Sequence, residues 1–424
     1  MSVTLMILFM LGMVVGAPLA ISLGIASVAT LVIFTDVPVS LIIQSMYSSM
    51  NSFIMVAVPL FILTGILMDE GGVAEKIFNF ANALVGWSHG GLGNVTVLSS
   101  VIFAGMSGSS VADVASVGRI SISAMSKNGY PLGYASALAL ITSMLATIIP
   151  PSILMVIAGS VANISIGQAL FAGVIPGLIV AGVFMLYNYY HCRKNHIGTK
   201  VHFELKNLGR QFVIAIPALL VPVILLGGML SGWFTPTEAA AIAVFYTLII
   251  SVLVYKNINP RQLPNIFFRT CKLTGTILFI AVTAKPAAWI FEFDGLPAQV
   301  AATIGGLSQS PVVIMLILYA FLLLVGMFMD ATAAIYILVP ILLPTVIAVN
   351  IEPVFFIVFL VITLALGLVT PPVGVCLYAM ASVSGLSLET LIKETMPWMI
   401  VTTIALLLFI IFPDIITVPI AWFF

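Results

Sequence analysis

The stretch Gly105-Met106-Ser107-Gly108-Ser109-Ser110-Val111-Ala112-Asp113, followed about forty residues later by Ile149-Pro150-Pro151-Ser152, decides how this chain folds. It places a small-residue polar tip and a helix-breaking proline pair inside a sequence that is otherwise oily. A second copy lies 221 positions on, where Gly326-Met327 answers Gly105-Met106, Thr363 answers Thr142, and Pro371-Pro372 answers Pro150-Pro151. The register continues through Ala379 and Ala158, Leu391 and Leu170, and Pro397 and Pro176, with about a dozen identities among about seventy pairs. Apolar helices resemble one another by composition alone. Two double prolines and a Gly-Met pair at one constant offset do not arise that way, so the expectation is an internal duplication whose two polar tips meet to form a site.

Composition sets the solvent. The 424 residues are 62% hydrophobic and 7% charged, with a mean hydropathy of +1.27 and no net charge. Soluble domains carry about 25% charged residues, so the chain reads as an all-α polytopic membrane protein and not as a globular enzyme. The apolar runs are continuous over ~18–30 residues, unlike the ~10-residue alternating strands of a membrane barrel. Met1 to Phe34 lacks a basic n-region and a small-residue cleavage site, and is expected to be a retained span. No basic tract suggests nucleic acid. Cys192, Cys271 and Cys376 offer neither a disulfide framework nor metal spacing. His89, His191, His196 and His202 form no HExxH motif, and three of them share one polar loop.

The order of segments follows from apolar runs and their interruptions. Residues 1–72 hold the first spans, one over 3–34 that kinks near Gly16-Ala17-Pro18 and one over 51–69. Residues 73–91 form an interfacial arm ending near Trp87. A first half occupies 92–190, with a hairpin at 92–125 and a broken helix at 132–164. Each hairpin leg is only ~14–17 residues, too short to cross, so the segment enters and leaves on one side. The connector 191–210 carries Arg193, Lys194, Lys200, Lys206 and Arg210 against Glu204, which places it in the cytoplasm, with Arg119, Lys127 and the loop Lys256 to Lys272 on the same side. Further spans fill 211–292 and a second arm fills 293–310. The second half, 311–424, has a hairpin at 311–349, a broken helix at 353–384 and a closing span at 395–424. Two halves of opposite orientation with interrupted helices are the pattern of secondary transporters.

The interruptions carry the chemistry. A proline removes its own N–H and strands the carbonyl four residues earlier, so Ala146, Thr147, Gly367 and Leu368 are expected to offer free oxygens. Ser107, Ser109, Ser110 and Asp113 add oxygens at the first tip, and Asp330, Thr332 and Thr370 at the second. A hard cation such as Na⁺ suits these oxygens, while the helix N-termini that follow each tip and break suit an anion. Asp113 and Asp330 are costly in a bilayer and default to a functional site, although Asp330 could instead cap its own helix. Lys285, the one lysine deep in a span, either meets a substrate carboxylate or pairs with Glu292 or Asp294. Arg119 reads as a topology anchor.

The motif set Gly-Met-Ser-Gly-Ser-Ser-Val-Ala-Asp at 105–113, Ile-Pro-Pro-Ser at 149–152, Met-Asp-Ala-Thr-Ala at 329–333 and Thr-Pro-Pro-Val-Gly at 370–374 resembles the large membrane subunit of tripartite ATP-independent periplasmic (TRAP) transporters. The resemblance covers nearly the whole chain. It implies Na⁺-driven import of a small organic acid, with sialic acid favoured and C4-dicarboxylates next. It also implies a periplasmic substrate-binding protein, a small four-helix membrane subunit, residence in the bacterial inner membrane among its lipids, and no organic cofactor. The implied fold is an elevator-type inverted repeat, in which both hairpins and both broken helices move against a scaffold. Carried onto this sequence, a first Na⁺ site takes Ser107, Ser109, Asp113, Ala146, Ile149 and Pro151. A second takes Asp330, Thr370, Val373 and Gly374. Substrate would be met by Ser109, Ser110, Asp113, Thr332, Thr370 and Lys285. The alanine at position 331 departs from the hydroxyl side chain pictured for the family and leaves Thr332 to supply it. An ion channel or a structural subunit is the competing reading, but two blind hairpins with closed tips favour alternating access over a continuous pore.

Overall fold

The computed structural model describes residues 1–51, 53–198, 203–308 and 310–422, so Lys200 and His202 of the connector lie outside the described residues. Every element among them is helical. Seven helices are long and apolar enough to cross a membrane, and two further pairs qualify as bent spans: Ala57–Glu70 with Val73–Val85, at 70°, and Leu132–Ile148 with Ile153–Val161, at 42°. The 70° bend falls at Gly71-Gly72, where Gly72 has φ +68° and Asn257 Nδ2 donates to Gly71 O at 3.0 Å.

The first 34 residues differ from the single span expected of them. Ser2–Val14 and Leu19–Phe34 are separate helices that fold back on one another. Gly16 turns left-handed at φ +82° and Pro18 has no N–H to continue a helix, so the chain stops and reverses. The crossing is close, because a Cβ on Gly12 would lie 2.7 Å from Ser22 Oγ. At 1.5 Å per residue the two arms are ~20 and ~24 Å long, each short of a bilayer core. The closing span also differs: Leu388–Ile411 is its helix, and past Pro413 the described residues form only the short helical turns Asp414–Thr417 and Ile420–Trp422.

At the centre lie two hairpins and two broken helices. The first hairpin has legs Gly91–Ser107 and Ser110–Lys127, the latter carrying one wide turn at Val114–Gly118. Its broken helix runs Leu132–Ser143 and Leu145–Ile148, then resumes at Ile153–Val161. The second hairpin has legs Pro311–Phe328 and Ala331–Ala348, and its broken helix has halves Pro353–Gly367 and Val375–Ser384. Both Pro150-Pro151 and Pro371-Pro372 are joined by cis peptide bonds. The halves beyond the breaks are exchanged. Ile153–Val161 packs on the outgoing leg of the second hairpin, and Val375–Ser384 packs on that of the first. The 31-residue helix Leu263–Phe293 runs beside this core and gathers Leu19–Phe34, Val39–Met50 and Ala57–Glu70 against itself. At one end of that group Arg269 pairs with Glu70.

The hairpin legs reach their broken helices through glycine. A Cβ built on Gly367 would lie 2.6 Å from the backbone of Gly326, so Pro311–Phe328 and Pro353–Gly367 cross with their backbones almost touching. Position 146, which stands opposite Gly367 in the 221-residue register, is Ala. Gly367→Ala is therefore expected to destabilise the chain by about 1–3 kcal/mol through overpacking. A thermal melt of the solubilised protein reads this, with Ala146→Gly as the milder partner. An unchanged melting temperature would show that the crossing has slack.

Candidate functional site

Asp113 sits one turn into the outgoing leg of the first hairpin and is fully buried. Ser100 of the incoming leg donates to its Oδ2 at 2.8 Å and lies 3.3 Å from Thr142 Oγ1. Its other oxygen, Oδ1, is buried with no hydrogen-bond partner, the only carboxylate oxygen so left among the described residues. Ser107 Oγ, at the end of the incoming leg, is in the same condition. Such groups carry their full desolvation penalty unless something outside the chain meets them. The Ser109 hydroxyl accepts from Ala112 N–H at 3.5 Å and caps the outgoing leg, with a second lone pair to spare. Ser110 Oγ reaches Thr147 Oγ1 at 3.4 Å, which ties the tip to the helix ahead of the break.

The break itself is held by the tip. Ile153 N–H donates to Gly108 O at 3.4 Å, and a Cβ on Gly108 would lie 2.3 Å from Pro151 O. Ile149 and Pro151 are buried beside it. One expected free carbonyl is taken: Ser152 Oγ donates to Thr147 O at 2.5 Å while accepting from Met155 N–H. A hydroxyl directly after the prolines can reach back across the gap they open, so of the two carbonyls that the prolines strand here Ala146 O remains.

The second tip is built on the same plan with different groups. Asp330 caps the leg Ala331–Ala348 by accepting from Thr332 N–H at 2.9 Å, the position that Ser109 occupies in the first tip. Thr332 is buried in that leg's first turn, and Thr370 Oγ1 donates to Leu366 O at 2.6 Å. Val373 N–H donates to Met327 O at 3.3 Å, so this break too is tied to its own hairpin. Here also a stranded carbonyl finds a partner, since Cys376 N–H donates to Leu368 O at 3.0 Å. Gly374, at φ +42°, turns its carbonyl to Leu377 N–H at 2.8 Å and starts the next half-helix. The first break is buried throughout, whereas Pro372, Val373 and Val375 are exposed.

The half-helix Val375–Ser384, which starts at the second break, packs on the outgoing leg of the first hairpin, so the second break lies against the element that carries Asp113. Lys285 is elsewhere. It is exposed on Leu263–Phe293 and, with Glu292, Ser160, Asn163 and Tyr336, lines a cleft of about 850 Å³ between that helix and the second hairpin. It makes no ion pair among the described residues, and Asp294 instead accepts from Ser2 N–H at 2.8 Å. Sequence reasoning missed Ser100 and the hydroxyls of Thr147 and Ser152. Ser152 was legible as a cap directly after the prolines, but nothing in an apolar helix marks which serine faces the aspartate.

A buried, half-satisfied carboxylate among hydroxyls suits a small hard cation with oxygen ligands. Comparison with known proteins gives the family. Residues 6–415 match the family described as "Tripartite ATP-independent periplasmic transporter, DctM component". The 2,3-diketo-L-gulonate TRAP transporter large permease protein YiaN of Escherichia coli is 33% identical over 97% of each chain. The sialic acid TRAP transporter large permease protein SiaM of Vibrio cholerae is 34% identical over 94% of this chain and 93% of its own. In fold, the chain is similar to the YdaH transporter of Alcanivorax borkumensis, with a TM-score of 0.62 over 86% of each chain at 15% identity. A multi-pass chain of this kind sits in the bacterial inner membrane, and with the match running from end to end it belongs to the DctM family, the large permeases of TRAP transporters.

Proposed function

We propose that this permease is a Na⁺-coupled importer of a small organic acid that moves its cargo by an elevator motion of the two hairpins and two broken helices. The observation that carries the reading is Asp113, whose buried Oδ1 has no partner among the described residues, together with Ser107 Oγ of the same hairpin, which has none either. Na⁺ meets both, with Ser109, Ala146, Ile149 and Pro151 supplying further oxygens. A second Na⁺ is held by Asp330, Thr370, Val373 and Gly374, at the more exposed break. The substrate anion lies between them, against Ser110, Thr332 and the helix N-termini that follow the tips. The repeat of the two halves at a 221-residue offset supports this motion, because two inverted copies that exchange conformations would open the site first to one side and then to the other.

Sialic acid is the first substrate to try, a C4-dicarboxylate the second, and a diketo sugar acid the third. The relatives named for sialic acid and diketogulonate support an organic anion as the class. A periplasmic binding protein delivers it, and a small four-helix subunit completes the membrane complex. Lys285, at the cleft beside the moving elements, draws the anion toward the site.

The test is uptake into proteoliposomes holding the three components, with Na⁺ or K⁺ outside and each acid in turn. Uptake is expected only with inward Na⁺. Lys285→Gln is expected to raise the KM about tenfold, the worth of one charge-assisted hydrogen bond, while Na⁺ dependence persists. Uptake that is equal in K⁺ would overturn coupling and return the channel reading.

A further inference from the structure

We infer that a cavity at the connector end of the molecule, distant in sequence from both tips, binds the phosphate of an anionic membrane lipid. The cavity is about 400 Å³ and lies between the loop that starts the first hairpin and the end of the helix Val174–Lys194. Three of its side chains are cationic or N–H donors: His89, Arg193 and His196. No acidic residue is among the described residues that line it, and Arg193 makes no ion pair among them. The other polar side chains there are engaged. Ser88 Oγ bonds Val85 O and Asn94 Nδ2, and the Cys192 thiol is turned to Tyr134 and Asn188. A guanidinium and two imidazoles therefore face the cavity with nothing of opposite charge.

Helix ends do not decide the sign. The partial negative end of Val174–Lys194 is offset by the partial positive start of Gly91–Ser107, whose N-cap Gly90 lines the same cavity. The Arg193 guanidinium sets the field, with the imidazole N–H groups as further donors.

The rim gives the source of the anion. Trp87, next in sequence to the lining residue Ser88, is exposed, and its ring meets that of the exposed Phe203 edge-on at 6.3 Å. His89 packs edge-on to Tyr189 at 5.7 Å. Exposed aromatic rings next to a basic pocket at the end of a span are what a lipid requires: rings at headgroup depth and cations on the phosphate. A soluble phosphate compound would need the cations and not the apolar rim.

The test is native mass spectrometry of the full-length chain released from nanodiscs of phosphatidylglycerol or phosphatidylcholine with the same acyl chains. The chain should retain phosphatidylglycerol preferentially, and Arg193→Gln with His196→Gln should lower retention about fivefold or more, the worth of the arginine's charge alone being about that much. Arg193→Lys, which keeps the charge, should retain the lipid and shows that loss is not misfolding. Equal retention of the two lipids overturns the site, as does full retention by the doubly substituted chain. Displacement of phosphatidylglycerol by inorganic phosphate overturns the lipid and leaves a soluble anion site.

Discussion

Asp113→Asn should abolish Na⁺-dependent uptake while the protein stays folded. The substitution removes the charge but keeps a group that Ser100 can bond, so the buried hydroxyl is not abandoned. Asp113→Ala is the poorer test, because it leaves Ser100 and a cavity unsatisfied in a site with no solvent access. Groups that merely orient a metal ligand already cost 10–100-fold in affinity when lost. A direct ligand should cost at least about 100-fold in apparent Na⁺ affinity. A Na⁺ titration of thermal stability checks this without transport, and uptake checks it with transport. A Na⁺ response like that of the unmodified chain in both would reduce Asp113 to a packing residue.

Asp330→Asn is the matched experiment at the second tip, and its logic differs. Asp330 already gives Oδ1 to Thr332 N–H as a helix cap. Asn caps nearly as well as Asp, so the amide preserves the hairpin and isolates the charge. Asp330→Ala would add about 1 kcal/mol of lost capping to any lost ion binding.

The fold was legible where the sequence breaks its own pattern. Glycine, serine and proline interrupt apolar runs at 105–113, 149–152, 326–332 and 370–374, and those interruptions locate both tips and both breaks in the structure. Length supplied the rest, since legs too short to cross must turn back. The same rule applied to residues 3–34 would have found the reversal at Gly16 and Pro18. There the two arms together are long enough for one span, and the kink reading was the simpler one. The site was only partly legible. A sequence shows which carbonyls prolines strand, but not which hydroxyls and amides reach them. Ser152 reaches Thr147 O and Cys376 N–H reaches Leu368 O. The register also hides an inequality, because Asp330 stands opposite Ser109, and Asp113 stands opposite Ala334. The two carboxylates therefore occupy different positions on their hairpins, one as a cap and one a turn further on.

Gly108→Ala should be among the most damaging single methyls in the chain. Two independent costs fall on it. Gly108 has φ +61°, where an L-residue pays about 1–2 kcal/mol. Its Cβ would also lie 2.3 Å from Pro151 O and 3.2 Å from Ile153 N, both backbone atoms that a rotamer change cannot move. Overpacking of that kind costs a further 1–3 kcal/mol or so. Gly385 separates the two. It has φ +72° with nothing within 4 Å of its Cβ position, so Gly385→Ala carries the left-handed cost alone. Thermal melts of the two variants should therefore differ by the cost of the contact, with Gly108→Ala the lower. Uptake should divide them further. The atoms that a methyl at 108 would push apart hold the tip against the break, and Ser107 and Asp113 take their positions from that contact. Equal losses in the two variants would mean that the tip yields freely to a methyl, and a tip that yields so freely could not hold a cation's oxygens in place.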